Sequence, residues 1–298
     1  MSTDPAASKR QAFRDGLAAP KPFVAVGAHD ALTAQLVGSY GFDAVWISGF
    51  GVATMAHALP DLNLTTMTET LEAAIRGDRA TDLPVVADCD NGFGGLTNLV
   101  RTVVEYERAG IAAICIEDNL FPKRNSLFTG ESKRDLIPLE EQARRIRAAK
   151  AAQRTDTFTF IARIEALIAG HGVEEACRRA DAYVEAGADA ILIHSRDKTL
   201  GEIEGFLDQW SGVGEVPLVA VPTLFPDFTA EELHTKGFQM IILANQPMRA
   251  AVRAIEDTLD TLRRERKPSS VDPHIAPVNH IFDLVNTKEM IALEEEGS

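Results

Sequence analysis

The sequence predicts an α/β chain closed into a (β/α)8 TIM-type barrel. Short apolar runs, eight in all, alternate with longer amphipathic stretches from Phe23 to about Arg266. The runs are continuous rather than alternating in polarity, as strands covered on both faces read. The span suits a fold that takes roughly 250 residues. Small-residue turns at Ala109-Gly110, Ala186-Gly187 and Lys236-Gly237 stand just ahead of apolar runs, where helices must stop.

Residues 1–22 read as an N-terminal tail or a covering helix. The predicted strands then follow as Phe23–Val26, Ala44–Ser48, Pro84–Asp88, Ile111–Glu117, Thr159–Ile164, Ala188–His194, Pro217–Val221 and Phe238–Leu243. Between them, Asn98–Ala109 places Leu99, Val103 and Tyr106 on one side at helical spacing. Leu139–Gln153, opened by Pro138, and Val173–Ala186, preceded by Gly172, are two further helices. No linker interrupts residues 23–266, which form the expected catalytic domain. Lys267-Pro268-Ser269-Ser270 is a break, and residues 267–298 are a C-terminal helical extension ending in an acidic, solvated tail, 294–298. Within it, Val278, Ile281, Phe282 and Val285 form an apolar stripe. Either another subunit or the chain's own barrel can bury that stripe.

Composition narrows the function classes. The chain has 298 residues, 45% hydrophobic and 25% charged, a globular balance rather than a disordered one. A mean hydropathy of −0.06 and the lack of an 18-residue apolar run argue against a membrane span. The N-terminal residues are polar and lack a signal peptide's apolar core. The net charge of −14 disfavours nucleic acid, whose phosphates need a basic face. An anionic small molecule remains possible, because a bound metal inverts the field within one pocket. Three cysteines (Cys89, Cys115, Cys177) are too few and too scattered for a disulfide framework or a zinc ribbon, so a reducing cytoplasm is expected.

In such a barrel, chemistry sits where strands end and the following loops begin. The third run ends Asp88-Cys89-Asp90-Asn91-Gly92, two carboxylates ahead of a glycine-rich turn. That suits a hard cation such as Mg2+, which takes one or two carboxylates and keeps several waters. A solvated acid pair in a turn is the alternative. Glu117, ending the fourth run, could reach such a metal through water or pair with a neighbouring strand. Arg163 lies inside the fifth run, where an unpaired guanidinium is costly. Its planar fork could grip a carboxylate or phosphate, or it could pair structurally with Glu117 or Glu165. His194 could orient a substrate group or be a hydrogen-bonded core histidine. Ser48 and the turn Gly49-Phe50-Gly51 could cradle an oxyanion, while the Trp46 ring reads as core packing. His29-Asp30 reads as a helix cap, and Cys89 and Cys115 as small core residues. The gathering of these groups at five strand ends is more specific than any one of them.

Trp46-Ile47-Ser48-Gly49, Asp88-Cys89-Asp90, Ala162-Arg163-Ile164-Glu165-Ala166 and Ile193-His194-Ser195 carry a family likeness. So does the block Glu117-Asp118-Asn119-Leu120-Phe121-Pro122-Lys123-Arg124-Asn125-Ser126. From Phe23 to Leu284 the chain resembles the phosphoenolpyruvate mutase branch of the isocitrate lyase superfamily. The carbon–carbon lyases of that superfamily carry a Lys-Lys-Cys-Gly-His type motif in the same loop, and this chain has none.

The resemblance implies a barrel that swaps its eighth helix with a neighbour, a dimer of dimers, and Mg2+ with an α-keto acid or its enolate as ligand. It implies that Asp88 holds the metal, with Asp61, Asp90 and Glu117 acting through its waters. Trp46, Ser48, Gly49 and Phe50 would meet the pyruvyl part. Arg163 and His194 would hold a phosphoryl group. Asn125 and Ser126 would approach that group from a gating loop, Asn119 to about Leu136, to which Lys123 adds charge. Asn119, Phe50 and Asn91 stand where Lys, Leu and Thr are usual. The implied activity is a Mg2+-dependent phosphoenolpyruvate phosphomutase, interconverting phosphoenolpyruvate and phosphonopyruvate at the start of phosphonate biosynthesis. Phosphonopyruvate hydrolases resemble a variant with Thr in place of Asn125, and a 2-oxo acid lyase is a third possibility. The contrasting class is a barrel that has lost catalysis and serves as a scaffold. Loss of the acids would mark it, yet Asp61, Asp88, Asp90 and Glu117 are all present.

Overall fold

The structure, a computed structural model, describes residues 4–128 and 134–297. In chain order the elements are α1 (Pro5–Ala18), β1 (Phe23–Ala28), α2 (Ala31–Ser39), β2 (Ala44–Ile47), α3 (Gly49–His57), α4 (Met67–Arg79), β3 (Val85–Asp88), α5 (Leu96–Arg108), β4 (Ala113–Glu117), α6 (Leu139–Ala152), β5 (Thr159–Ile164), α7 (Gly172–Glu185), β6 (Ala190–Ile193), α8 (Gly201–Gln209), β7 (Leu218–Ala220), α9 (Ala230–Thr235), β8 (Met240–Leu243), α10 (Gln246–Glu265), α11 (Val278–Leu284) and α12 (Thr287–Glu296). The strands pair in parallel in sequence order, and β8 closes on β1, so the predicted barrel is the observed fold.

Local chemistry explains the boundaries. β4 starts two residues later than its apolar run because Ile111 is spent on the preceding helix stop, its N–H donating to the Tyr106 carbonyl at 3.2 Å. Gly110 (φ 91°) and Gly187 (φ 101°) take the left-handed conformation that lets α5 and α7 end and turn into strands. Asp30 caps α2 as expected, accepting from the Thr33 N–H at 2.7 Å.

Strand alternation sorts side chains into two layers. Ala25, Trp46, Val86, Cys115, Ile161, Leu192, Val219 and Ile242 point inward and share one buried cluster. Their neighbours Val26, Ile47, Ala87, Ile116, Ala162, Ile191, Ala220 and Ile241 point outward into the layer beneath the helices. The N-terminal segment is a covering helix rather than a tail. Phe13 and Leu17 of α1 join the inner cluster, with the Phe13 ring edge-on to Phe23 at 5.5 Å. Each such side chain contributes about 1.5–3 kcal/mol by burial. Lys9 and Arg14 fasten the helix through Asp78 (2.9 Å) and Asp189 (2.8 Å).

The described chain divides into two compact units, up to Met248 and from Arg249. In the second, Val278, Ile281, Phe282 and Val285 are exposed. The Lys267–Ser270 break holds a 3-10 turn at Pro268–Ser270. The acids 294–296 form the exposed last turn of α12, and Ser298 lies outside the described residues. No described helix is long and apolar enough to cross a membrane.

Candidate active site

The site follows from the same alternation. Two residues beyond each inward core position comes the next inward residue, in the strand or one place past its end: Ser48, Asp88, Glu117, Arg163, His194, Val221 and Ala244. All of these line one cavity of about 60 Å³ at the strands' C-terminal ends, with Trp46 also in its wall. A single water needs roughly 10–15 Å³, so the space suits a small molecule. On β1 the corresponding position is Gly27. A Cβ there would overlap the Ala244 carbonyl, so glycine allows β8 to come close at the rim.

Register places Glu117 directly opposite Arg163 on the neighbouring strand. Arg163 donates from Nε to Glu165 at 2.5 Å, lies 3.6 Å from Glu117, and reaches Ser126 Oγ at 2.8 Å and His194 Nδ1 at 3.0 Å through Nη2. The structural pairing considered for Arg163 is therefore present, alongside its position in the cavity wall. Burial works against the Glu165 carboxylate, but Arg163 and His194 hold it well below the usual range. Burial, and then Arg163, push His194 down. Its Nε2 is buried with no hydrogen-bond partner among the described residues. Ser48 caps α3, accepting from the Gly51 N–H at 3.1 Å. By position, the N–H groups of Gly49 and Phe50 in that first turn have no intrahelical acceptor.

Lys123, Asn125, Ser126 and Leu127 cover the cavity from the segment after β4. Asn125 Nδ2 donates to Asp61 at 2.6 Å, and its Oδ1 accepts from the Leu127 N–H at 2.9 Å. Ser126 Oγ donates to Glu165 at 2.8 Å. Arg196 donates to the Ser126 and Phe128 carbonyls at 2.9 and 2.7 Å. Residues 129–133 of the expected gating loop lie outside the described residues.

Lys123 is buried among the acids, 2.8 Å from Asp61 and 2.5 Å from Asp90. Burial would lower its basicity, but Asp61, Asp90 and Glu117 hold it well above the usual value. Asp90 follows Asp88 on the strand end but does not line the cavity. Its backbone is left-handed (φ 50°), which turns its carboxylate to Lys123 and to the Asn63 amide at 3.0 Å. Gly49 also lies beside the cavity rather than in its lining; a Cβ there would sit 3.3 Å from Asp88 Oδ2.

The donor set fits a hard divalent cation. The carboxylate residues Asp88, Glu117 and Asp61 line the cavity, and Glu117 Oε1 is buried without a partner among the described residues. Burial, outweighing Lys123 and Arg163, pushes Glu117 up to about 8. No three His, Cys, Asp or Glu among the described residues form a ready cage, and Mg2+ does not require one.

Several residues of the site were not singled out in the sequence. Val221 and Ala244 follow from strand alternation. Thr223, Asn245 and Leu127 also line the cavity, and Asn63 joins the Lys123 N–H (2.6 Å) to Asp90. These four lie in irregular segments where spacing carries no signal.

The phosphoenolpyruvate phosphomutase family model matches residues 13–263. The chain is 41% identical to the phosphonopyruvate hydrolase of Variovorax sp. (strain Pal2), over 96% of this chain and 98% of the relative. A crystal structure of phosphoenolpyruvate phosphomutase from Streptomyces platensis subsp. rosaceus superposes with a TM-score of 0.92 at 40% identity, covering 96% of this chain and 98% of that one. A crystal structure of phosphonopyruvate hydrolase with oxalate and Mg2+ superposes with a TM-score of 0.89 at 40% identity, with the same coverage.

Proposed function

The chain belongs to the phosphoenolpyruvate phosphomutase family, and from that premise we propose that it interconverts phosphoenolpyruvate and phosphonopyruvate with Mg2+. One observation carries this reading. Asn125, where hydrolases of the family resemble a Thr variant, holds its amide against Asp61 at the cavity wall.

Asp88 would hold the metal, with Asp61 and Glu117 acting through its waters and Asp90 outside the lining, paired with Lys123. When bound, Mg2+ supplies electrostatic stabilisation of the pyruvyl enolate oxygen. The α3 N–H groups of Gly49 and Phe50, with Ser48, hold the pyruvyl part against Trp46. Arg163 and His194 hold the phosphoryl group while it leaves the enol oxygen and is taken up by carbon three of the enolate. A loose phosphoryl species needs cationic and N–H donors rather than a covalent partner. Lys123, paired with Asp61 and Asp90, offsets the charge of those acids at the cavity wall. Asn125, Ser126 and Leu127 exclude water, which would otherwise capture phosphorus.

Phosphonopyruvate hydrolysis to pyruvate and phosphate is the second reading, favoured by the likeness to the Variovorax enzyme. Phosphorus NMR of the purified protein with phosphonopyruvate and Mg2+ separates the two. Phosphoenolpyruvate appears for a mutase; inorganic phosphate without it overturns the proposal. A carbon–carbon lyase is disfavoured by the missing Lys-Lys-Cys-Gly-His motif.

The proposal extends to assembly and location. Ile255 and Leu259 of α10, with Val278 and Phe282 of α11, are exposed apolar side chains, which supports a homo-oligomer exchanging its eighth barrel helix, as a dimer of dimers. Light scattering of the purified protein measures this. Free Cys89, Cys115 and Cys177 suit a cytoplasmic site of action.

A further inference from the structure

Glu165 lines no part of the cavity, yet it is completely buried and joins the groups that do. One oxygen accepts from Arg163 Nε at 2.5 Å and lies 3.3 Å from His194 Nδ1. The other accepts from Ser126 Oγ, on the covering segment, at 2.8 Å. Arg163 Nη2 closes the ring by donating to the same Ser126 Oγ at 2.8 Å. The Glu165 backbone is fixed in turn, its N–H donating to Asp118 Oδ1 at 2.9 Å. Asp118 is itself held by Arg179 at 2.9 Å and by the Tyr183 hydroxyl at 2.8 Å. A buried carboxylate with this many charge-assisted bonds has one orientation.

We propose that Glu165 is a positioning residue that locks the covering segment to Arg163 and His194, so that the phosphoryl-holding pair is aligned only while Ser126 shuts the cavity. This deepens the mutase reading and rests on it. Without the lock, the cover seats poorly over the same binding groups. Water then reaches phosphorus: its oxygen bonds phosphorus as the carbon–phosphorus bond breaks, the carbon keeps the electron pair, and a proton on carbon three completes pyruvate beside phosphate.

The test compares wild type, Glu165→Gln, Ser126→Ala and the double variant with phosphonopyruvate and Mg2+, measuring kcat, KM and the ratio of phosphoenolpyruvate to phosphate by phosphorus NMR. Glu165→Gln is expected to lower kcat about 10- to 100-fold, the range typical for losing an outer-shell partner, with KM within about threefold. Its phosphate share rises, Ser126→Ala shifts the ratio the same way, and the double variant loses no more than the worse single. Wild-type kcat and product ratio in Glu165→Gln, or losses that multiply in the double variant, overturn the inference. Should Glu165→Gln fail to fold, Ser126→Ala decides: a raised phosphate share supports the lock and an unchanged ratio overturns it. A wild type that yields phosphate alone refutes the mutase reading instead, and the lock is then judged on kcat and its non-multiplicative losses.

Discussion

Gly27→Ala tests the barrel rim most sharply, because it alters neither a charged nor a hydrogen-bonding side chain. A Cβ at residue 27 would overlap the Ala244 carbonyl group and stand 3.3 Å from the Ala244 Cα. The obstacle is backbone, so no side-chain rotation relieves it. β1 and β8 must separate just beyond their last registered pair, Val26 and Leu243. Overpacking of this kind costs about 1–3 kcal/mol. At about 2–4 °C per kcal/mol for a domain this large, the melting temperature falls by about 2–12 °C. Function should suffer more than stability. Ala244 and Asn245 form the cavity wall, and a shift of about 1 Å in a positioning element costs on the order of 100-fold in turnover. Urea unfolding and steady-state turnover measure the two effects. A variant with wild-type stability and turnover would refute the claim that glycine is needed for this close approach.

Asp88→Ala should abolish turnover and the rise in melting temperature brought by Mg2+ with oxalate; a retained thermal shift would exclude Asp88 as metal holder. Asn125→Ala should cut turnover far more than stability, because its amide faces Asp61 at the cavity wall. A collapse in melting temperature would assign it a structural job instead. Arg179→Met leaves buried Asp118 without its ion-pair partner, so urea unfolding should register a loss of about 3–5 kcal/mol. Glu69 and Glu232 close capping boxes on α4 and α9, and bonds from Thr66 and Thr229 lower their carboxyls. Their stabilisation is complete above the unfolded value, about pH 4.3, and drains away as pH falls through the lower folded values. Replacing both by Gln should therefore lower the melting temperature at pH 7, by an amount that shrinks as pH falls below about 4.3; a loss that does not change with pH would contradict this.

Much of the molecule was legible before folding. Continuous apolar runs announce strands covered on both faces, and glycines such as Gly110 and Gly187 mark where the chain must turn into them. Strand alternation carries this into the site. Ser48, Asp88, Glu117, Arg163 and His194 point inward because they lie an even number of residues from buried inward positions, and Val221 and Ala244 were available by the same rule. These features are local, governed by the period of a strand and the conformational freedom of a glycine. The tertiary structure decided which partners each polar group found. Lys123 lies between Asp61 and Asp90, Glu165 gathers Arg163, His194 and Ser126, and Asn63 ties the cover to the third strand's turn. Those pairings join irregular segments far apart in the chain. Their energies come from burying charges together at distances that no single-sequence period encodes, so they arise only once the barrel has closed.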